Sequence, residues 1–280
     1  MKIINHNSPY FRRKSALKKI IPVIFLSMAA AVSAQAQTNG LISRYSFNDG
    51  TANDSFGTAH GSLFNGANIS GGQLILGGTG TGASVQYMSM PSGVIPTNST
   101  QVTVLGWFTS TNSGVWGRLF DFGSSTNNNF FFAPTTTTSL TNSSRLYITQ
   151  TGIAGAVGPA GGPNLNDNRE HMIAAVLSQP QNLIAYYLDG ALVGNSTLGS
   201  NTVNGLQAFN NYIGRSQYSA DPGFRGMVNE LRIYNTALTA QEITTSYASG
   251  ANVIPEPSAL SLLLVGLAGL GAVRRTRRAV

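Results

Sequence analysis

Short strand-like runs, each closed by a turn signal, constrain this 280-residue chain more than any other feature. Leu41-Ile42-Ser43-Arg44-Tyr45-Ser46-Phe47 alternates, with Leu41, Ser43, Tyr45 and Phe47 on one face, and Asn48-Asp49-Gly50 then turns the chain. Further runs read as strands at 73–76, 84–88, 100–108, 118–123, 130–132, 145–149, 171–177, 183–188, 211–215 and 226–234. Asp189-Gly190 is a hairpin signal between Tyr186-Tyr187-Leu188 and Ala191-Leu192-Val193. Thr135–Ser144 reads as a polar loop, and Ala154–Gly162 as a mobile Gly/Ala-rich loop. Many short strands between turns imply an all-β sandwich or jelly roll. One helix is predicted at the end: Thr239-Ala240-Gln241-Glu242 is a capping box, Leu238 and Ile243 form a hydrophobic staple, and Gly250 closes it.

The ends are address labels rather than fold. Arg12, Arg13, Lys14, Lys18 and Lys19 precede the apolar stretch Ile20–Val32. Val32-Ser33-Ala34 and Ala34-Gln35-Ala36 both fit a signal-peptide cleavage site, so residues 1–36 read as a secretory signal cut after Ala34 or Ala36. Residues 251–280 hold Ile254-Pro255-Glu256-Pro257-Ser258 (254–258), an uncharged apolar run (259–273) and a basic end (274–280). That run extends roughly 22 Å as a helix, short of a ~30 Å hydrocarbon core. It predicts a transient or short transmembrane anchor, with the arginines behind it staying cytoplasmic. Pro255 and Pro257 keep Glu256 extended and open to a protease.

The formal charge of +7 belongs to these labels. Residues 37–253 keep seven arginines, no lysine and nine acids, a net of −2. Without a basic stripe, nucleic acid is excluded as a partner. The chain has no cysteine, which excludes thiol catalysis and thiolate metal sites.

The three-part tail resembles the PEP-CTERM sorting signal of Gram-negative bacteria. That resemblance implies recognition at Pro255, Glu256 and Pro257 by an exosortase-type membrane enzyme. It also implies a place in the cell envelope, at the cell surface or in extracellular matrix, with exopolysaccharide nearby. Residues 37–250 resemble a LamG-type, concanavalin A-like lectin/glucanase domain. The resemblance rests on Leu41–Phe47 with Asp54-Ser55 and His60-Gly61-Ser62-Leu63; Val102–Phe108 with Arg118–Gly123; Ala185–Val193; and Tyr212-Ile213-Gly214-Arg215 through Phe224 and Gly226 to Glu230–Ile243. It implies two antiparallel sheets packed as a jelly roll, and glycan or protein binding as commonly as catalysis. Asn229 stands where the family often has Asp, and Glu170-His171 where it often has Trp-His.

No catalytic residue is assigned. A retaining glycosidase needs two carboxylates about 5–5.5 Å apart, and no strand pairs two acids on one face. Glu230 and Arg232 share a strand face and read as a structural ion pair. His60 and His171 lie in no recognisable triad. Asp54, Asp121, Asp167 and Asp221 offer loop or strand-end oxygens to a structural calcium ion, without an Asp-x-Asp-x-Asp cluster. No other cofactor or metal is expected. Trp116, Tyr218 and Phe224 sit in Gly/Ser-rich segments and are candidates for stacking on sugar rings. The competing reading is that Trp116 and Phe224 plug the ends of the sandwich. Trp107 and Phe122 lie within strand patterns and belong to the core. The expectation is therefore a non-enzymatic, exopolysaccharide-binding or structural module. A carbohydrate-active enzyme and a protein-adhesion module are the alternatives.

Overall fold

The computed structural model describes residues 40–78 and 80–253. The expected signal peptide with Ala34 and Ala36, and the segment holding Pro255, Glu256, Pro257 and the apolar run 259–273, lie outside the described residues. Among the described residues no helix is long and apolar enough to cross a membrane.

Among the described residues fourteen strands form two antiparallel sheets. In the first, β12 (Ala191–Thr197), β11 (Leu183–Leu188), β10 (Glu170–Ser178), β6 (Gln101–Ser110), β14 (Arg225–Tyr234), β4 (Gln73–Gly77) and β3 (Asn68–Ser70) follow in that spatial order. β14 is long enough to serve two neighbours: its first residues pair with β4, and its last with β1 (Leu41–Tyr45). The second sheet runs β2 (Ser62–Phe64), β5 (Tyr87–Met90), β13 (Asn210–Ile213), β7 (Phe120–Ser125), β8 (Asn128–Ala133) and β9 (Arg145–Thr149).

Alternation decides what each strand buries, because successive side chains point to opposite faces. Val102, Val104 and Phe108 of β6 enter the core between the sheets. Phe120 and Phe122, Phe130 and Phe132, and Leu146 and Ile148 meet them from the second sheet. Each fully buried ring or branched side chain contributes about 1.5–3 kcal/mol. Leu105 and Trp107 face the other way, into a second cluster with Leu238 and Ile243. That cluster seats the helix α1 (Ala240–Ser249) on the back of the first sheet. The predicted capping box is present: the Glu242 backbone donates to Thr239 Oγ1, and Thr239 N donates to Glu242 Oε2 at 2.6 Å. Asp189 (φ 50°) and Gly190 (φ 81°) both take positive φ, as a two-residue type I′ hairpin requires.

Three local expectations change. The 84–88 run divides into a 3₁₀ turn at Gly82–Ser84 and β5. β2 and β3 carry too few residues to register as alternating runs. The Ala154–Gly162 segment is not a free loop. Val157 exchanges two backbone hydrogen bonds with Ile148, both 2.8 Å, and Gly162 N donates to Ser144 O at 3.1 Å. These contacts return the segment to the edge of the second sheet.

Glu230 and Arg232 form the expected ion pair at 2.5 Å, fully buried, with Arg44 on the same carboxylate at 2.6 Å. Arg232 also lies over Trp107 and donates to Ala251 O at 2.6 Å and Val253 O at 3.1 Å. The pair therefore ties the last described residues to the first sheet.

Candidate functional site

The side chains that point outward from the second sheet build the site. Asp121 of β7 pairs with Phe131 of β8, and Phe131 with Tyr147 of β9. All three alternate with core residues, so they lie on the face away from the sandwich interior. Loops at 116–118, 150–156 and 218–221 rise around this row. They enclose a cleft of about 600 Å³ lined by Trp116, Phe131, Tyr147 and Tyr218, with Arg118 and Asp221 at its wall. Asn127, Thr149, Gln150 and Thr151 add polar groups to the lining.

Arg118 organises the cleft. It is 3% exposed. Its guanidinium stacks 3.4 Å above the Phe131 ring, with Trp116 at 5.2 Å and Tyr218 at 5.8 Å. Nη2 donates to Asp221 at 3.0 Å, Nε donates to Ser216 Oγ at 3.4 Å, and Asp121 lies 3.8 Å from Nε. Nη1 is buried with no hydrogen-bond partner among the described residues. Three aromatic rings thus share one cation whose charge Asp221 already neutralises.

Asp121 is completely buried. Burial pushes its carboxyl up to about 7; the Arg118 charge and the hydrogen bond from Gln217 N only partly offset this. It is therefore partly protonated at neutral pH.

The structure brings two of the three predicted stacking residues together and removes the third. Trp116 (36% exposed) and Tyr218 (38%) both line the cleft. Trp116 holds φ +74°, an outlier for a bulky residue, fixed by its N–H donating to Thr135 O at 2.9 Å. The Tyr218 hydroxyl donates to Thr126 O at 2.8 Å, which anchors the far end of the ring. Phe224 is 0% exposed and packs edge-on against Phe108 at 6.1 Å. It belongs to the inter-sheet core and offers no face to a ligand.

The four aspartates considered for calcium have other partners. Asp54 accepts backbone hydrogen bonds from Arg44, Phe56, Gly57 and Ala59. Burial alone would raise its pKa, but the backbone donors outweigh this and hold it below the usual carboxylate range. Asp167 bonds His171, whose other ring nitrogen meets Asp189 at 2.8 Å. Asp121, expected in a loop or at a strand end, lies within β7; with Asp221 it surrounds Arg118 rather than a cation site. Among the described residues no group of three or more His, Cys, Asp or Glu could hold a metal.

Arg118, Phe131 and Tyr147 join the site without having been expected there, and Asp221, expected to offer oxygens to calcium, instead pairs with Arg118. Tyr147 carried a signal, since it is the outward member of an alternating strand. Arg118 and Asp221 are 103 positions apart, and nothing local links them.

The sequence model of the concanavalin A-like lectin/glucanases superfamily matches residues 80–244, more than half of the chain. The chain belongs to this superfamily. The PEP-CTERM protein-sorting motif matches residues 253–278, a signal for export and cell-surface sorting in bacteria that implies processing by exosortase. Among solved structures, domain 4 of AbnA, an extracellular GH43 arabinanase from Geobacillus stearothermophilus in complex with arabinotriose, is similar. Its TM-score is 0.56 at 19% identity, covering 73% of this chain and 97% of that one. The binding domain of botulinum neurotoxin DC in complex with SialylT gives 0.57 at 12% identity, covering 76% of this chain and 52% of that one. The match thus spans about half of the neurotoxin chain. At these identities the likeness is one of fold. No curated protein matches the sequence.

Proposed function

We propose that this superfamily member is a non-enzymatic glycan-binding or structural module of the bacterial cell envelope or extracellular matrix. Its ligand would be exopolysaccharide or another surface glycan, held in the Trp116–Tyr218 cleft. The observation that carries this reading is the convergence of half-exposed aromatic rings over one neutralised, buried arginine, with amide and hydroxyl groups around them. Aromatic faces stack on the apolar faces of sugar rings, and flanking polar groups fix orientation. The strained backbone at Trp116 supports it, because such strain costs of order 1–3 kcal/mol and clusters at functional sites. Similar folds solved with arabinotriose and with SialylT lend support at the level of architecture.

In this reading an N-terminal signal peptide exports the chain in a Gram-negative-type cell. The 259–273 segment then holds it briefly in the inner membrane, and the exosortase-type enzyme cuts at Pro255-Glu256-Pro257.

A carbohydrate-active enzyme is the second reading, and Asp121 favours it: a carboxyl near pKa 7 close to Asp221 could pair an acid with a carboxylate. The binding reading is preferred because Asp121 lies fully buried and Asp221 is tied to Arg118 and Ser216.

Binding to a polysaccharide panel tests both. Trp116→Ala should weaken glycan binding by about tenfold, the worth of one well-placed ring. Absence of any glycan binding by the parent protein would overturn the proposal. Release of reducing sugar would replace it with the enzyme reading.

A further inference from the structure

A second aromatic–arginine constellation lies on the same outer face, toward the opposite edge of the second sheet. Tyr212 of β13 pairs with Asp121, which places Tyr212 two strands, or roughly 10 Å, from Phe131 in the cleft. Tyr87 of β5 meets Tyr212 edge-on at 5.4 Å. Phe64 of β2 stacks on Tyr87 at 4.8 Å and 8°, and is 41% exposed. Arg215 spans the two tyrosines, its Cζ 4.7 Å from the Tyr212 ring and 4.9 Å from the Tyr87 ring.

Arg215 differs from Arg118 in one respect that determines ligand chemistry. Arg118 has Asp221 and Asp121 beside it. Among the described residues Arg215 makes no ion pair and no hydrogen bond, and its Nε is buried without a partner. The rings lie against the guanidinium and its Nε is buried, which leaves the two terminal nitrogens, Nη1 and Nη2, to meet a ligand end-on. A planar carboxylate matches that fork with two parallel hydrogen bonds. The exposed Phe64 ring beside it offers a surface for a sugar ring.

We infer that Phe64, Tyr87, Tyr212 and Arg215 form a second glycan subsite that takes a carboxylated sugar, a uronic acid unit of an acidic polysaccharide. The inference rests on the glycan-binding reading of the cleft and adds the charge of the ligand. The folded region carries net −2, so no long-range field draws a polyanion in. The contact with Arg215 is therefore local, and high salt weakens it.

The test compares full-length protein binding to polygalacturonate and alginate with binding to their carboxyl-reduced forms, which keep the ring and lose the charge. The parent should prefer the acidic forms. Arg215→Gln should weaken their binding roughly ten- to a hundredfold, as expected for losing a charge-assisted pair, while the reduced forms bind as before. Arg215→Lys, which keeps charge without the fork, should fall between. Matching thermal melts for all variants establish that they fold. Equal parent affinity for acidic and reduced polymers overturns the inference, as does equal loss for both with Arg215→Gln, or binding to neither. Should Trp116→Ala abolish binding to reduced polymers while Arg215→Gln changes nothing, the cleft reading survives and this one fails.

Discussion

Asp121 concentrates the electrostatics of the site in one residue. Its carboxyl sits near pKa 7 in the fold, against an ordinary value of 3.8. The folded protein thus holds a proton over the interval in which the unfolded chain has lost it. Stability from this group is fully present below pH 3.8 and is lost as pH rises through about 7. His171 and Asp189 titrate as well: the hydrogen bond that His171 donates to Asp189 raises His171 against the effect of burial, while Asp189 is lowered despite its burial. Comparison with Asp121→Asn cancels those common groups, because they lie outside the Arg118 cluster. The melting temperature of the parent should therefore rise relative to Asp121→Asn when pH falls from 8 to 5. A constant difference across that range, measured by thermal melts, would show that Asp121 is ionised in the fold throughout.

At the scale of elements, local signals were legible and distant pairings were not. The α1 cap is a four-residue pattern, and the structure reproduces it with both reciprocal hydrogen bonds. Thr239→Ala removes the side-chain acceptor and should cost about 1 kcal/mol, read as a lower midpoint in urea unfolding. An unchanged midpoint would mean that Leu238 and Ile243 alone hold the helix on the first sheet. The Asp189-Gly190 turn was equally readable, since two positive φ values need those residue types. Phe224 follows its competing reading, as packing inside the sandwich rather than a sugar platform, for the opposite reason. Gly223 and Gly226 beside it resemble a loop, yet β14 begins at Arg225 and its pairing with β6 carries the ring toward Phe108. Trp116 and Tyr218 were legible as aromatics in Gly/Ser-rich surroundings. Their shared partner Arg118 became visible only when β7 and β8 fell into register and set Phe131 beneath its guanidinium.

Over the whole molecule, the division between the folded domain and the terminal segments matters most. The terminal segments carry all the lysines and the net positive charge, while residues 37–253 carry a net of −2. Their junction is mechanically defined: Arg232 grips the carbonyls of Ala251 and Val253, and Arg44 donates to Asn252 O at 3.4 Å. The sandwich therefore holds its own end to within two residues of Pro255, and the apolar run begins at Ala259. Replacing Pro255, Glu256 and Pro257 with alanine removes the motif while leaving every described contact of the sandwich in place. In the native host, that variant should collect as an uncut, membrane-bound chain, detected as a heavier band in the membrane fraction with the glycan affinity of the parent in detergent. Parent-like appearance of the variant outside the cell would refute processing at this motif. Loss of glycan affinity as well would mean that the tail contributes to the fold, against the closure of the core within residues 41–251.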